Sequence, residues 1–96
     1  MVASRIRSLF ARHPKVRRAV LFGSRAKGNF REGSDIDLAL ETEQMSGREL
    51  ADIRVELDDE PIAHRVDLVL RESIPPGELL EHIERVGKIF YDRNGH

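Results

Sequence analysis

Two aspartates two positions apart, Asp35 and Asp37, interrupt an otherwise apolar segment with the sequence DIDLAL. On a strand their side chains would lie on one face, about 6 to 7 Å apart along the chain. Carboxylates this close repel each other unless a cation lies between them or one is protonated. Mg²⁺ prefers such oxygen-rich acidic clusters, and paired carboxylates can bridge two ions. The motif therefore indicates a metal site, although solvent-facing aspartates at a strand end produce the same pattern.

A second candidate site lies about ten residues earlier, where Gly23 and Ser24 precede a predicted helical turn. Free backbone N–H groups and the Ser24 hydroxyl could bind a phosphate there, and glycine allows a close approach. Arg25 and Lys27 add positive charge beside it. The alternative is an ordinary strand-to-helix turn in which Ser24 is the N-cap and Arg25 braces the loop by pairing with an acidic residue.

The strands that would hold these residues are predicted from apolar content and from alternation with a period of two. Residues 16–22 form an apolar, β-branched strand that ends at Gly23. In DIDLAL and in VDLVL, which spans residues 66–70, apolar residues alternate with aspartates. If the leucine-rich faces of both strands turn toward the helices, the aspartates share the opposite, more open face. Three carboxylates then meet where the two strands are neighbours: Asp35, Asp37 and Asp67.

Helices are predicted from apolar spacing and from capping signals. Ser4 can cap a first helix, and Ser46 begins a capping box for a second helix over residues 47–59. A Pro-Pro pair opens a last helix, which a short final strand, KIFY, follows. The predicted buried positions of this last helix are Leu79, Leu80, Ile83 and Val86.

The order of these elements predicts an α+β, two-layer fold in which helices pack on one face of a small mixed β-sheet. With 96 residues, the chain is expected to form a single domain over residues 1–96. It contains no cysteine, and no apolar run approaches the length of a signal peptide or a membrane span. We therefore expect a cytoplasmic protein that does not interact with membranes.

The charges are distributed unevenly along the chain. Residues 1–31 carry nine Lys or Arg and no acidic residue, whereas residues 32–96 carry seven basic and seventeen acidic residues. One explanation is that the two segments pack together and neutralise each other. Another is a positive surface for phosphates, RNA or an acidic partner, formed by Arg12, Lys15, Arg17 and Arg18.

The histidines show no pair at the spacing of metal ligands. A histidine metal site is therefore not expected, and surface or capping roles are predicted for His13, His64, His82 and His96.

Taken together, the two sites form a pattern that can be assigned to a family. The segment GSRAKGNFREGSDIDLAL resembles the active-site signature of the DNA polymerase β-like nucleotidyltransferase superfamily, which is Gly-Ser, a spacer of about ten residues, and Asp-x-Asp. The chain also resembles minimal nucleotidyltransferases (MNT), the antitoxins of HEPN/MNT toxin–antitoxin pairs. The resemblance lies in the short length and in the segments GSRAKG, VDLVL and IERVGKIFY.

The resemblance implies a polymerase β-like fold and a role for each candidate residue. Gly23 and Ser24 would bind the triphosphate of ATP, with Arg25 and Lys27 beside them. Two Mg²⁺ ions would be held by the three aspartates, and Asp67 could also act as the base for the acceptor hydroxyl. Antitoxins of this type transfer AMP from ATP to a tyrosine of their HEPN partner, a ribonuclease, and so silence it.

Two other functions remain open at the level of sequence. The chain could be a binding module that neutralises a HEPN partner by occlusion alone, because it has no residues left for a domain that holds the base and the acceptor. It could also transfer a nucleotidyl group to RNA or to a small molecule, but the missing acceptor domain makes both less favourable. An apolar face on the last helix or at a sheet edge would dock the HEPN protein or a second copy of the chain.

Overall fold

Helices and strands alternate along the chain in the computed structural model, which describes residues 2–23, 35–62 and 64–95. The elements are α1 (Val2–Ala11), β1 (Val16–Phe22), β2 (Ile36–Thr42), α2 (Gly47–Asp59), β3 (Val66–Leu70), a 3₁₀ helix (Arg71–Ser73), α3 (Glu78–Val86) and β4 (Lys88–Asp92). The sequence-based bounds of β1, α2 and β3 are confirmed.

Helix α2 begins where the capping signal predicts. The side chain of Ser46 accepts a hydrogen bond from the backbone N–H of Glu49 at 3.1 Å, which satisfies one of the free donors of the first turn. The buried side of the helix consists of Leu50, Ile53 and Leu57, at the predicted helical spacing. Among the described residues, no helix is long and apolar enough to cross a membrane.

The four strands of the described residues form one mixed sheet in the order β3-β2-β1-β4. Strand β1 pairs with β2 and with β4 in antiparallel orientation, whereas β2 and β3 are parallel. The register of the parallel pair places Ile36 beside Val66, Asp37 beside Asp67 and Leu38 beside Leu68. The connection that contains α2 supplies the crossover that parallel neighbours require.

The main core lies between the sheet and the helices α1 and α2. Leu38 and Leu40 of β2 are fully buried there together with Phe10 of α1 and Ile53 of α2. Each such side chain contributes about 1.5 to 3 kcal/mol by leaving water. This arrangement confirms the small mixed sheet with packed helices.

Helix α3 differs from the other two helices because it packs on the opposite face of the sheet. Ile83 forms a small second cluster with Val20 of β1 and Ala39 of β2. Of the four predicted buried positions of this helix, only Ile83 is buried, and Leu79 is 46% exposed. The prediction of helices on one face thus describes α1 and α2, and α3 covers part of the face that carries Asp37.

The basic N-terminal segment pairs with the acidic remainder of the chain. Lys15 contacts Glu49 at 2.9 Å, and two nitrogens of Arg18 donate to one oxygen of Glu41 at 3.0 and 2.7 Å. Arg12 lies 3.8 Å from carboxylates of α2 and of the residue that follows it, Glu56 and Glu60. The pKa of Glu43 is lowered mainly by its hydrogen bond to Arg93, with a smaller contribution from Arg17. These contacts favour mutual neutralisation over a free positive surface.

Candidate active site

Asp37 and Asp67 are neighbours because of the register between β2 and β3. They form a direct pair in the parallel ladder, where adjacent strands lie about 4.8 Å apart. The residues on either side of Asp37, Ile36 and Leu38, are buried in the main core. Since side chains alternate along a strand, this burial turns Asp37 to the opposite face, and the matched register turns Asp67 the same way.

Asp35 lies just before the first residue of β2 and is exposed. The pairing of the two strands begins beside it, since the N–H of Ile36 donates to the backbone oxygen of Arg65 at 2.8 Å. The charge of Asp35 reaches Asp37, because it is one of the causes that raise the pKa of the Asp37 carboxyl. The structure thus brings together the three aspartates that the sequence singles out.

The pKa of Asp37 is raised above its ordinary value. Partial burial of the carboxylate is the largest cause, followed by the negative charges of Asp67 and then of Asp35. A second negative charge on the neighbouring strand and a third two residues away both make ionisation of Asp37 less favourable. A cation bound at this position would remove that penalty.

Gly23 lies directly against Asp37. It follows the last residue of β1, Phe22, which is the ladder partner of Asp37. Gly23 has a φ of +76°, and a Cβ atom at this position would lie 2.5 Å from Oδ2 of Asp37. The left-handed backbone favours glycine here, and any larger residue would also require the Asp37 carboxylate to turn away. Gly23, the first residue of the predicted phosphate-binding turn, is therefore adjacent to the predicted metal ligand Asp37.

The Gly23 backbone N–H donates to Nε2 of His82 on α3 at 3.2 Å. The ring of His82 is also edge-on to the ring of Phe22, with centroids 6.3 Å apart and an angle of 79° between the planes. His82 is thus part of the surroundings of the site, which sequence analysis missed. No local signal could have found it, because His82 and Gly23 are 59 residues apart in the chain.

The other predicted phosphate-binding residues, Ser24, Arg25 and Lys27, lie outside the described residues.

Asp67 borders a cleft of about 430 Å³ between β3 and the end of α2. Nε of Arg65 donates to Oδ1 of Asp67 at 3.1 Å, and Nη2 of Arg54 donates to the backbone oxygen of Leu68 at 2.8 Å. The cleft is lined mainly by charged and polar residues, including Arg54, Asp58, Glu60, His64 and Arg65. Arg65 was also missed from sequence, although it is two positions before Asp67 and alternation places both on one side.

The chemistry of the aspartates fits a hard divalent cation. All three supply carboxylate oxygens, which Mg²⁺ prefers, and the pKa of Asp37 is raised by partial burial and then by the negative charges of Asp67 and Asp35. Within residues 2–23, 35–62 and 64–95, no three acidic or histidine side chains are already arranged as a metal-binding group. Binding by all three aspartates would therefore need their side chains to turn toward one another, with Asp67 exchanging Arg65 for the ion.

Residues 4–96 match a family model described as polymerase beta, nucleotidyltransferase. Among curated protein sequences, none matches the chain significantly.

Two crystal structures of toxin–antitoxin systems have a similar fold. The first, a toxin–antitoxin with AMP-PNP, has a TM-score of 0.75 at 24% identity, and the match covers 96% of this chain and 74% of that chain. The second is a mutant of the toxin–antitoxin MntA-HpeT, with a TM-score of 0.72 at 22% identity over 94% of this chain and 72% of that chain. The mutant carries glutamate in place of two aspartates that are two positions apart. At these identities, the likeness shows a shared fold.

Proposed function

Because this chain belongs to the polymerase beta nucleotidyltransferase family, we propose that it transfers AMP from ATP to a tyrosine hydroxyl of a HEPN-type ribonuclease toxin. The transfer would silence the toxin, so the chain would act as its antitoxin in the cytoplasm, where ATP is available. One observation carries the proposal: the sheet register sets Asp37 beside Asp67, next to the Gly23 turn. The residues proposed to bind phosphate and metal would thereby begin next to each other, as nucleotidyl transfer requires.

The three aspartates are the residues that would hold Mg²⁺, most simply as two ions. When bound, the ions would offset negative charge on the triphosphate and on the leaving pyrophosphate. Asp37 would be the central ligand of the set, since it lies between Asp35, just before β2, and Asp67 on β3. Asp35, which is exposed, can turn toward the same face without disturbing the core.

The protein contributes mainly position and electrostatics to the reaction. The acceptor oxygen attacks the α-phosphorus of ATP, the bond from that phosphorus to the bridging oxygen breaks, and pyrophosphate leaves with the electron pair. The proton of the acceptor hydroxyl passes to a base, for which we propose Asp67. The cleft beside Asp67 would admit the acceptor.

The phosphate side of the reaction would lie at the turn that begins with Gly23. Ser24, Arg25 and Lys27 follow it in sequence and are the proposed triphosphate ligands. Gly23 starts this segment against the Asp37 carboxylate, because glycine has no Cβ to keep the two apart. A triphosphate at the turn would thus lie next to ions held by the aspartates.

The proposed partner is supported by the two structural neighbours. Both are toxin–antitoxin structures, and one of them contains AMP-PNP, an ATP analogue. The mutated aspartates of the other have the same spacing as Asp35 and Asp37. A toxin partner would also supply a surface that holds the acceptor tyrosine.

Labelled ATP provides the test. The purified chain is incubated with Mg²⁺, α-labelled ATP and the protein encoded next to it, and label on that protein is measured with the ribonuclease activity. We expect the wild type to label and silence the partner. The double variant Asp35→Asn, Asp37→Asn should lower labelling by about a hundredfold or more, the effect of removing central electrostatic groups from an active site.

The matched control is the double variant Asp52→Asn, Asp59→Asn, which makes the same charge change at exposed positions of α2. This control should label the partner like the wild type. Labelling that survives in the Asp35, Asp37 variant contradicts the proposed chemistry. Equal silencing of the ribonuclease by wild type and variant, with no label in either case, would instead support neutralisation by occlusion.

A further inference from the structure

The end of β1 is connected to α3 by one hydrogen bond, from the N–H of Gly23 to His82. The ladder between β1 and β2 ends at the pair of Phe22 and Asp37, so Gly23 is the first residue beyond it. Its N–H donates to Nε2 of His82. From this geometry we infer that His82 is a positioning residue, which fixes the Gly23 turn against Asp37 and so presets the start of the phosphate-binding segment. The inference rests on the proposed function for its catalytic consequence.

Gly23 needs such a contact because glycine is the least restricted residue. With a φ of +76° it occupies a region that glycine enters and leaves freely, so its own backbone does not hold the turn in place. On one side Gly23 faces the Asp37 carboxylate, whose Oδ2 lies 2.5 Å from the position that a Cβ would occupy. The hydrogen bond to His82 limits Gly23 on the other, because it sets the direction of the Gly23 N–H.

The His82 ring is itself held in place. The ring makes an edge-on contact with Phe22, and the next residue, Ile83, anchors α3 to the sheet with only 2% of its surface exposed. Ile83 packs with Val20 and Ala39, which belong to the same two strands as the site. Because Nε2 accepts the Gly23 N–H, the ring proton must lie on Nδ1. The acceptor atom is therefore carried by a helix that packs directly on the sheet.

Two variants separate the acceptor atom from the packing of the ring. In glutamine, Oε1 is the same number of bonds from Cα as Nε2 is in histidine, so His82→Gln keeps an acceptor at the same reach. His82→Leu keeps a bulky side chain that can pack against Phe22 and removes the acceptor. The matched control is His13→Leu, which changes a histidine at the end of the α1 region, where its partner is Glu56.

Two measurements are made on all four proteins, in addition to thermal unfolding. Hydrogen exchange of the Gly23 amide, followed by NMR, reports the hydrogen bond directly and needs no substrate. Binding of Mg²⁺ with a fluorescent ATP analogue reports the turn as a phosphate site and needs no transfer step. In His82→Leu we expect faster Gly23 exchange and an affinity about two- to tenfold lower, the usual range for one lost hydrogen bond. His82→Gln should restore both, and His13→Leu should change neither.

The inference is overturned if Gly23 exchange in His82→Leu equals that of the wild type. It is equally overturned if glutamine and leucine weaken nucleotide binding to the same extent, because ring packing would then be the cause. Failure of the proposed function is distinct from both outcomes. In that case the wild type binds the nucleotide but labels no partner, while the exchange and binding comparisons still decide the role of His82. If the leucine variant unfolds, the glutamine variant decides: normal exchange and binding support the inference, and their loss overturns it.

Discussion

The two faces of the sheet differ in how completely they are covered. One face is covered by α1 and α2 and buries the leucines of β2 completely, whereas the other carries Asp37 and is covered only in part, by α3. Both faces are made by the same strands, since Leu38 and its neighbour Asp37 point in opposite directions. The residues that stabilise the fold and those of the candidate site are therefore separated by a single step along β2.

This separation explains how a short chain can tolerate three clustered carboxylates. Partial burial and the neighbouring negative charges, which together raise the pKa of Asp37, are a cost on the open face, and the apolar contacts of Leu38 and Leu40 on the other face offset it. A shift of the register by one residue would turn the leucines of β2 to the open face and the aspartates into the core. Three substitutions test the comparison, in order of decreasing expected effect.

Leu38→Ala should have the largest effect on stability. Leu38 is fully buried in the main core, and removing a buried leucine side chain costs about 3 to 5 kcal/mol because it loses contacts and leaves a cavity. Urea unfolding measures the change. Val55→Ala, at a position of α2 that is 60% exposed, is the control and should stay within about 0.5 kcal/mol of the wild type. Similar losses in both variants would show that the helix-covered face is not the main source of stability.

Gly23→Ala should have an intermediate effect and act on the site. Alanine in a left-handed conformation costs about 1 to 2 kcal/mol, and its Cβ would also collide with Oδ2 of Asp37. The control is Gly95→Ala, where φ is +80° and a Cβ would meet nothing within 4 Å. We expect only Gly23→Ala to weaken binding of Mg²⁺ with ATP in a titration. Equal binding by the two variants would mean that the contact with Asp37 is unimportant.

Asp37→Asn should have the smallest effect, a gain in stability that depends on pH. The folded state raises the pKa of Asp37 above the unfolded value of about 3.9, so the folded state binds more protons between the two values. The wild type therefore loses stability as the pH rises through this interval, and asparagine avoids that loss.

Thermal unfolding at several pH values measures this gain. The variant should melt a few degrees above the wild type at neutral pH, and the difference should vanish as the pH falls below about 4. Asp52→Asn, at an exposed position of α2, is the control and should show no such trend. A lower melting temperature for Asp37→Asn at neutral pH would show that the carboxylate stabilises the fold rather than straining it.

The parts of the structure that were predictable from sequence depend on short-range patterns. Alternation within β2 and β3 predicts that Asp37 and Asp67 share a face if both leucine-rich faces turn toward the helices. The family resemblance implies that the two strands are neighbours, because both aspartates would hold Mg²⁺. The capping signal at Ser46 gave the start of α2, because a helix N-terminus is determined by residues within one turn.

The parts that were missed depend on contacts between distant segments. Periodicity predicted a broad buried face for α3, but the surface beneath it is small, since Val20 and Ala39 are its buried apolar residues. The contact of His82 with Gly23 is also missed, since the sequence predicts only a surface or capping role for this histidine. Its partner is a backbone N–H, which leaves no trace in composition or spacing. Long-range pairing of this kind depends on the packing of α3 against β1, and local sequence does not encode that packing.

The position of β3 at the border of the described sheet has a consequence for what the chain can modify. No strand of that sheet lies between Asp67 and the flank of the molecule. A group that approaches Asp67 from this side therefore meets no further strand of the described sheet. Within that sheet, a folded macromolecule is obstructed by strands no more than a small metabolite is.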